Sequence, residues 1–306
     1  MYLKTKFVFL DGKLCYLNEA SVNITNPSFN YGVNVFEVVR CYWNEKKGRL
    51  YAFMLKEHIN RLFQSCKLLQ LNLNLSTEDI IRSFKEVIKI NGFREDLVVR
   101  ICVYLKEGTW YNIEPTGLII IPTPRGRVYQ EKKGIKCKVS SWRRISDSCM
   151  PPRIKAGANY VNSRLAQIEA ISNGYDTAIF INDNSKIAET TSASLFIVRN
   201  KQLITSKITD SILEGITRKV VMCIAKNDLN IEVIEREIDR TELYLSDEIF
   251  LCGTTTEIVP IISIDKIPIY NEKVGPITQN IMSLFFKIVR NEYPKYQEWL
   301  TDIYEY

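Results

Sequence analysis

The chain has 306 residues, 46% of them hydrophobic and 25% charged, and its 41 Lys and Arg against 35 Asp and Glu leave a formal net charge of +6. That is an ordinary globular composition, long enough for two domains with separate cores. The basic residues are scattered among acidic ones, with no long basic run and no nucleic-acid-binding signature, which sets nucleic acid aside as a partner and suits ligands that carry phosphate or carboxylate.

The eight cysteines are dispersed and form no CxxC pair, so they read as reduced core residues. Nothing at Met1-Tyr2-Leu3-Lys4 resembles a signal peptide and no apolar stretch reaches about 18 residues, so a cytoplasmic protein without a membrane segment is expected. His58, the single histidine, cannot build a multi-histidine metal site, and no metal is expected. Proton transfer then falls to Lys, Tyr, Asp or Glu.

Residues 7–18, FVFLDGKLCYLN, predict two short strands turning at Asp11-Gly12 in a type I′ hairpin. The run from Asn30 to Trp43 alternates β-branched and aromatic residues and predicts a strand. Leu55, Ile59, Leu62, Phe63, Cys66 and Leu69 fall at helical spacing, and Ser76 with Glu78-Asp79 opens a second helix carrying Ile80, Phe84, Val87 and Ile88. Strands follow at Leu97–Leu105 and Gly117–Pro122, so the first domain, 1–122, is α+β. Residues 123–133, TPRGRVYQEKK, have linker composition. The second domain, 134–306, opens on the strand GIKCKVSSW. A helix to about Ser172 follows, then strands at Asp176–Asn182, Lys186–Thr190 and Ala193–Ile204, the last turning at Arg199-Asn200-Lys201. A helix near Gly215, strands over IEVIEREI and EIFLCGTTTEIVPIISID, and a helix from Pro276 to Asn291 complete it. The order is too irregular for a parallel doubly wound sheet.

The chemistry centres on PPRIKAGANYVN, residues 151–162, which sets Lys155 between a rigid Pro-Pro entry and a glycine-containing turn into a helix. A lysine amine held in this way is the usual nucleophile toward an aldehyde such as that of pyridoxal 5′-phosphate, PLP. Tyr160 lies five positions on, where its hydroxyl can approach the same group. Glu189 ends a strand before a hydroxyl-rich turn and is suited to a pyridine nitrogen. Gly215-Ile216-Thr217 opens a helix, where backbone N–H groups and a threonine hydroxyl form a phosphate seat. Gly253-Thr254-Thr255-Thr256 offers a second such seat, and Arg61 in EHINRL supplies a guanidinium suited to a phosphate dianion. Each feature has a bland reading as well: a surface lysine, a solvated glutamate, a plain helix cap, a threonine-rich turn.

Taken together, YGVNVFEVVRCY, EHINRL, SSW before KAGANYVNS, GITR, LYLSDEIFLCGTTTEI and GPIT, in this order along nearly the whole chain, resemble the class IV, fold-type IV, PLP-dependent aminotransferases, the branched-chain amino acid aminotransferases above all. The resemblance implies an α+β two-domain fold with a small α+β domain and a larger pseudo-barrel domain, in a homodimer. It implies Lys155 as the Schiff-base lysine and proton shuttle, Tyr160 at the cofactor phenolate, Glu189 at the pyridine nitrogen, Leu213 on a ring face, and Arg61, Ile216, Thr217 and Thr254 at the phosphate. Tyr31, Phe36, Arg40 and Arg100 match substrate-pocket positions, and the reaction implied is amino transfer between an amino acid and a 2-oxo acid.

The departures concern the pocket. Val38 stands where the family usually has glycine, ETTSAS replaces a Glu-Gly-x-Gly-Glu-Asn pattern, and Thr255 and Thr256 stand where alanines are usual. With Arg125 and Arg127 in the linker, these changes suit a more polar or acidic substrate than leucine, unless the two arginines are solvated linker charges. Aminodeoxychorismate lyase and D-amino acid aminotransferase share the machinery and remain alternatives, although the loop Lys106–Thr116 lacks the Arg-x-His pair of the D-specific enzymes. A PLP-binding protein without turnover is the reading least in keeping with Lys155, Tyr160 and Glu189 together.

Overall fold

A computed structural model describes residues 4–129 and 133–305. In chain order the elements are β1 (Phe7–Leu10), β2 (Lys13–Tyr16), α1 (Pro27–Tyr31), β3 (Asn34–Asn44), β4 (Arg49–Phe53), α2 (Leu55–Leu68), α3 (Thr77–Asn91), β5 (Leu97–Leu105) and β6 (Thr116–Pro124). They continue with β7 (Ile135–Arg143), α4 (Tyr160–Ser172), β8 (Thr177–Ile181), β9 (Ile187–Thr190), β10 (Ser194–Arg199), β11 (Gln202–Thr205) and α5 (Ile216–Asn227). Last come β12 (Val233–Glu235), α6 (Arg240–Tyr244), β13 (Glu248–Gly253), β14 (Glu257–Ile264), β15 (Ile267–Pro268), α7 (Pro276–Val289) and β16 (Leu300–Asp302). Two compact units result: 1–126 with 154–158 and 287–306, and 127–153 with 159–286. This differs from a division into 1–122 and 134–306 at two inserted segments. Backbone pairing is the cause: β16 pairs with β4, and Ala156 bridges Val35 of β3.

In the first unit the hairpin turns at Asp11 and Gly12, both at positive φ, 49° and 88°, as a type I′ turn requires. The strand expected from Asn30 starts at Asn34 instead. Pro27 presets helical φ, the Asn26 side chain accepts from the Phe29 N–H at 2.6 Å, and Gly32 ends the turn at φ 72°, so 27–31 is helical. Ser76 and Asp79 cap α3 reciprocally. Seven antiparallel strands run β16-β4-β3-β5-β6-β1-β2. On one face Val35, Val39, Cys41, Val99, Ile101 and Val103 pack under Leu55, Ile59, Leu62, Ile80 and Phe84 of α2 and α3. The period of two sends Phe36, Val38 and Arg40, with Arg100 and Tyr104, to the opposite face.

The second unit holds a nine-stranded sheet whose path is β12-β11-β10-β13-β14-β7-β8-β9, with β15 on β14. It cannot be flat. Five strand spacings separate β10 from β9 along that path, roughly 24 Å at about 4.8 Å each, yet Thr190 and Ser194 are joined by a tight turn in which the Thr190 N–H donates to the Ala193 carbonyl at 2.9 Å. Beyond β12, the Ile187 N–H of β9 donates to the Ile238 carbonyl at 2.8 Å, so the sheet curls until its ends meet. This pairing also explains why β12 keeps only Val233–Glu235 of the expected IEVIEREI strand: from Ile238 the chain bonds β9 instead of β11. Alternate apolar residues of β7 to β11, β13 and β14 fill the interior, and α4 covers Ala178, Phe180 and Ala188 outside it. Glu248 caps α7 by accepting from the N–H groups of Ile277 at 3.0 Å and Thr278 at 2.7 Å.

Candidate active site

β4 pairs with β3 only over Cys41–Asn44, so the N-terminal half of β3 has an open edge. The Lys155 segment fills it. The Phe36 N–H donates to the Lys155 carbonyl at 2.9 Å, the Gly157 N–H donates to the Asn34 carbonyl at 3.1 Å, and the Lys155 N–H donates to Ser65 Oγ at 3.2 Å. Gly157 is required by this approach, since a Cβ there would sit 2.4 Å from Asn34 Oδ1. Both main-chain polar groups of Lys155 are thus satisfied, and its side chain, half-buried, carries Nζ 5.1 Å from the Phe36 ring centre. The lysine is held, as its sequence context predicts.

Beneath β3 lies a charged cluster. Glu37, fully buried among the helix-facing residues, accepts from Arg61 Nε at 2.6 Å and Nη2 at 2.8 Å, and from His58 Nδ1 at 2.7 Å. Burial alone pushes the Glu37 carboxyl up, but the Arg61 charge and the His58 and Arg61 hydrogen bonds outweigh it and hold the group well below the usual carboxylate range. Burial pushes His58 down, against the pull of Glu37, so the imidazole is neutral and Nδ1–H is the donor. On the opposite face the Arg100 guanidinium lies 3.9 Å from the Phe36 ring centre and directly across from Val38. Arg100 and Tyr31 are exposed, whereas Arg40 is fully buried over Tyr42.

In the second unit Glu189 is buried on β9, and its Oε1 receives both Arg144 Nη2 at 2.9 Å and the Leu213 N–H at 3.1 Å. Arg144 is itself fixed, by Nε donating to the Ser211 carbonyl at 3.3 Å and its main-chain N–H donating to the Ile181 carbonyl at 3.0 Å. Three loops lie side by side here. A Cβ on Gly215 would sit 2.8 Å from Ser194 Oγ, and one on Gly253 would sit 3.3 Å from the Ser192 carbonyl. α5 starts at Gly215 without a side-chain cap, with Ile216 and Thr217 buried in its first turn, while Thr254 and Thr255 are half-buried and Thr256 buried in the β13–β14 turn. Uncapped N–H groups, threonine hydroxyls and a glycine that admits close approach suit a phosphate. Tyr160 is the first residue of α4. Arg127 is committed within the protein: its Nε donates to buried Glu257 at 3.3 Å and its guanidinium stacks 3.8 Å from the Phe286 ring centre.

Sequence patterns give Glu37, His58 and Arg144 no role in the site. A glutamate inside the apolar alternation of FEVVR and a second arginine in SSWRR are the available signals, and neither names a partner.

An amino-transferase class IV family model matches residues 34–264. A probable branched-chain-amino-acid aminotransferase of Aquifex aeolicus is 40% identical over 307 residues, covering 98% of this chain and 97% of its own. The branched-chain-amino-acid aminotransferase of Escherichia coli K12 is 32% identical, covering 98% of both. Among solved structures, the branched-chain aminotransferase of Thermoproteus uzoniensis with norvaline has a TM-score of 0.91 at 40% identity, covering 97% of this chain and 99% of that one. The PLP form of the Thermobaculum terrenum enzyme has a TM-score of 0.93 at 37% identity, covering 98% and 99%. With a held lysine, a buried carboxylate and a phosphate-suited helix start in place, the chain belongs to the class IV aminotransferases, as a branched-chain aminotransferase-like enzyme of fold type IV.

Proposed function

We propose that the protein binds PLP and moves an amino group between an amino acid and a 2-oxo acid, with Lys155 as its catalytic residue. The observation that carries this reading is the pinning of Lys155 through both main-chain polar groups, which fixes the point from which its side-chain amine is presented. PLP, when bound, supplies an aldehyde for amines and a ring that accepts an electron pair. Lys155 Nζ would carry a proton from the substrate Cα to the cofactor's former aldehyde carbon within one half-reaction and in the opposite direction in the other. Glu189, oriented by Arg144 and the Leu213 N–H, would hold a proton at the pyridine nitrogen. Tyr160 donates to the phenolate, Leu213 packs on a ring face, and Arg61, Gly215, Ile216, Thr217 and Thr254 bind the phosphate. Tyr31, Phe36, Val38, Arg40, Arg100, Thr255 and Thr256 line the substrate side, where Val38 and the threonine hydroxyls favour a polar or acidic donor such as glutamate over leucine.

Another solved branched-chain aminotransferase, 31% identical, is complexed with N-(5′-phosphopyridoxyl)-L-glutamate, which supports glutamate as one partner. A homodimer in the cytoplasm is part of the same reading, supported by exposed Phe29, Tyr31, Trp110 and Tyr111 on the first unit. No described helix is long and apolar enough to cross a membrane. The test reconstitutes purified protein with PLP and follows the bound cofactor's absorbance on addition of single amino acids, in wild type and Lys155→Ala. Lys155→Ala folds, because alanine keeps both main-chain bonds, and it gives no turnover. A silent spectrum with every amino acid, or wild-type transamination by Lys155→Ala, refutes the proposal.

A further inference from the structure

A carboxylate with no solvent exposure in an apolar layer is stable only if other charges and donors meet it. Glu37 is such a group: it lies on the helix-facing side of β3 between Val35 and Val39, and its partners come from one stripe of α2. His58, Arg61 and Ser65 fall three and four residues apart and all are buried. Arg61 meets Glu37 edge-on, Nε to Oε1 and Nη2 to Oε2, which fixes the plane of the guanidinium as well as its position. His58 Nδ1–H adds a third donor on Oε2. One turn further on, Ser65 Oγ donates to the Arg61 carbonyl at 3.0 Å and accepts from the Lys155 N–H at 3.2 Å. The neighbouring Phe36 N–H holds the Lys155 carbonyl. The two residues Phe36 and Glu37 thereby fix the lysine backbone on one side and the arginine head group on the other.

We propose that Glu37 is a positioning residue for phosphate recognition: it holds the Arg61 guanidinium in one plane through Nε and Nη2, so that the arginine meets the cofactor phosphate ready oriented. This rests on the reading of Arg61 as a phosphate ligand. Glu37 touches neither cofactor nor substrate in this role. The alternative is that Glu37 serves the fold alone, as the counter-charge that lets the Arg61 guanidinium be buried and as an acceptor for His58, with no bearing on the phosphate.

The experiment measures dissociation constants of the cofactor-free protein for 4′-deoxypyridoxine phosphate, which carries the phosphate and lacks the aldehyde, and for pyridoxal, which carries the aldehyde and lacks the phosphate. Arg61→Gln is the reference: a selective loss for the phosphate ligand supports Arg61 as its binder, and equal wild-type preference refutes that underlying reading. Given the selective loss, Glu37→Gln is expected to weaken the phosphate ligand about tenfold or more while pyridoxal changes less than about twofold, and to add nothing on the Arg61→Gln background. Glu37→Asp keeps the buried charge but is one methylene too short for the edge-on pair. It shows the same selectivity where the glutamine variant fails to fold. If the Glu37 variants weaken both ligands equally, leave both unchanged, or weaken the phosphate ligand equally with Arg61 already replaced, Glu37 is structural and the proposal fails.

Discussion

Arg144 and Arg143 are adjacent in sequence and opposite in environment, and exchanging each for methionine isolates the buried ion pair with Glu189. Arg143 is exposed and donates to the carbonyls of Asn182 at 2.8 Å and Asp183 at 3.1 Å. Its loss is expected to cost under about 1 kcal/mol, as for other exposed polar contacts. Arg144 and Glu189 have side chains only 8% and 7% exposed at a separation of 2.9 Å, so solvent screens the pair little. Removing one partner of such a pair costs about 3–5 kcal/mol, because the other charge is left desolvated. The Leu213 N–H, which stays on Oε1, offsets part of that, a bond to a charged group contributing about 1.5–3 kcal/mol. A net loss of about 2 kcal/mol is therefore expected for Arg144→Met. For a unit of this size 1 kcal/mol shifts the melting temperature by roughly 2–4 °C, so the cofactor-free variant should melt about 4–8 °C lower. Adding Glu189→Gln removes the orphaned charge, and the double variant should recover stability relative to Arg144→Met, with a coupling energy of about 1.5 kcal/mol or more. Differential scanning calorimetry of the four proteins reads this directly. Equal shifts for Arg143→Met and Arg144→Met, or strict additivity with Glu189→Gln, would refute the assignment of the pair.

Three further outcomes follow from single side chains. Val38 lies on the sheet face of Phe36, across from Arg100, and its extra bulk should cost a branched substrate about 1–3 kcal/mol, roughly ten- to a hundredfold in binding; Val38→Gly should raise kcat/KM for leucine and valine relative to glutamate, and a wild type that already uses leucine as well as glutamate refutes the pocket argument. The Glu37 carboxyl is held low in the folded protein, so its stabilisation is present above the unfolded value of about 4.3 and is lost as pH falls toward its depressed folded value. The urea midpoint should fall more steeply between about pH 5 and pH 3 in wild type than in Glu37→Gln, and parallel slopes would contradict this. Glu248→Gln replaces the carboxylate that caps α7 through two N–H groups and should cost about 1–2 kcal/mol, seen as a lower melting temperature.

Sequence by itself determined whatever depends on neighbours within a few residues. Helical spacing from Leu55 to Leu69, the Ser76–Asp79 box, the Asp11-Gly12 turn and the Asn200-Lys201 turn, at φ 52° and 64°, encode local geometry and appear where expected. The order of motifs around Lys155, Glu189 and Gly215 carried the family for the same reason, since each is a short stretch with a characteristic composition. Local pattern failed first at 27–31, where Pro27 and Gly32 outweigh the β propensity of the following run. Tertiary structure alone decided the partners. Lys155 completes the open edge of β3 and meets Ser65, 90 residues away, because the pairing of β4 with β3 stops short at Cys41. Glu37 meets Arg61 across 24 residues because alternation turns it toward α2, and Arg144 meets Glu189 because the curled sheet brings the end of β7 to β9 by way of β8. A charge in a sequence shows that a partner is needed, but burial and chain closure determine which residue it is, and those exist only once the sheets have formed.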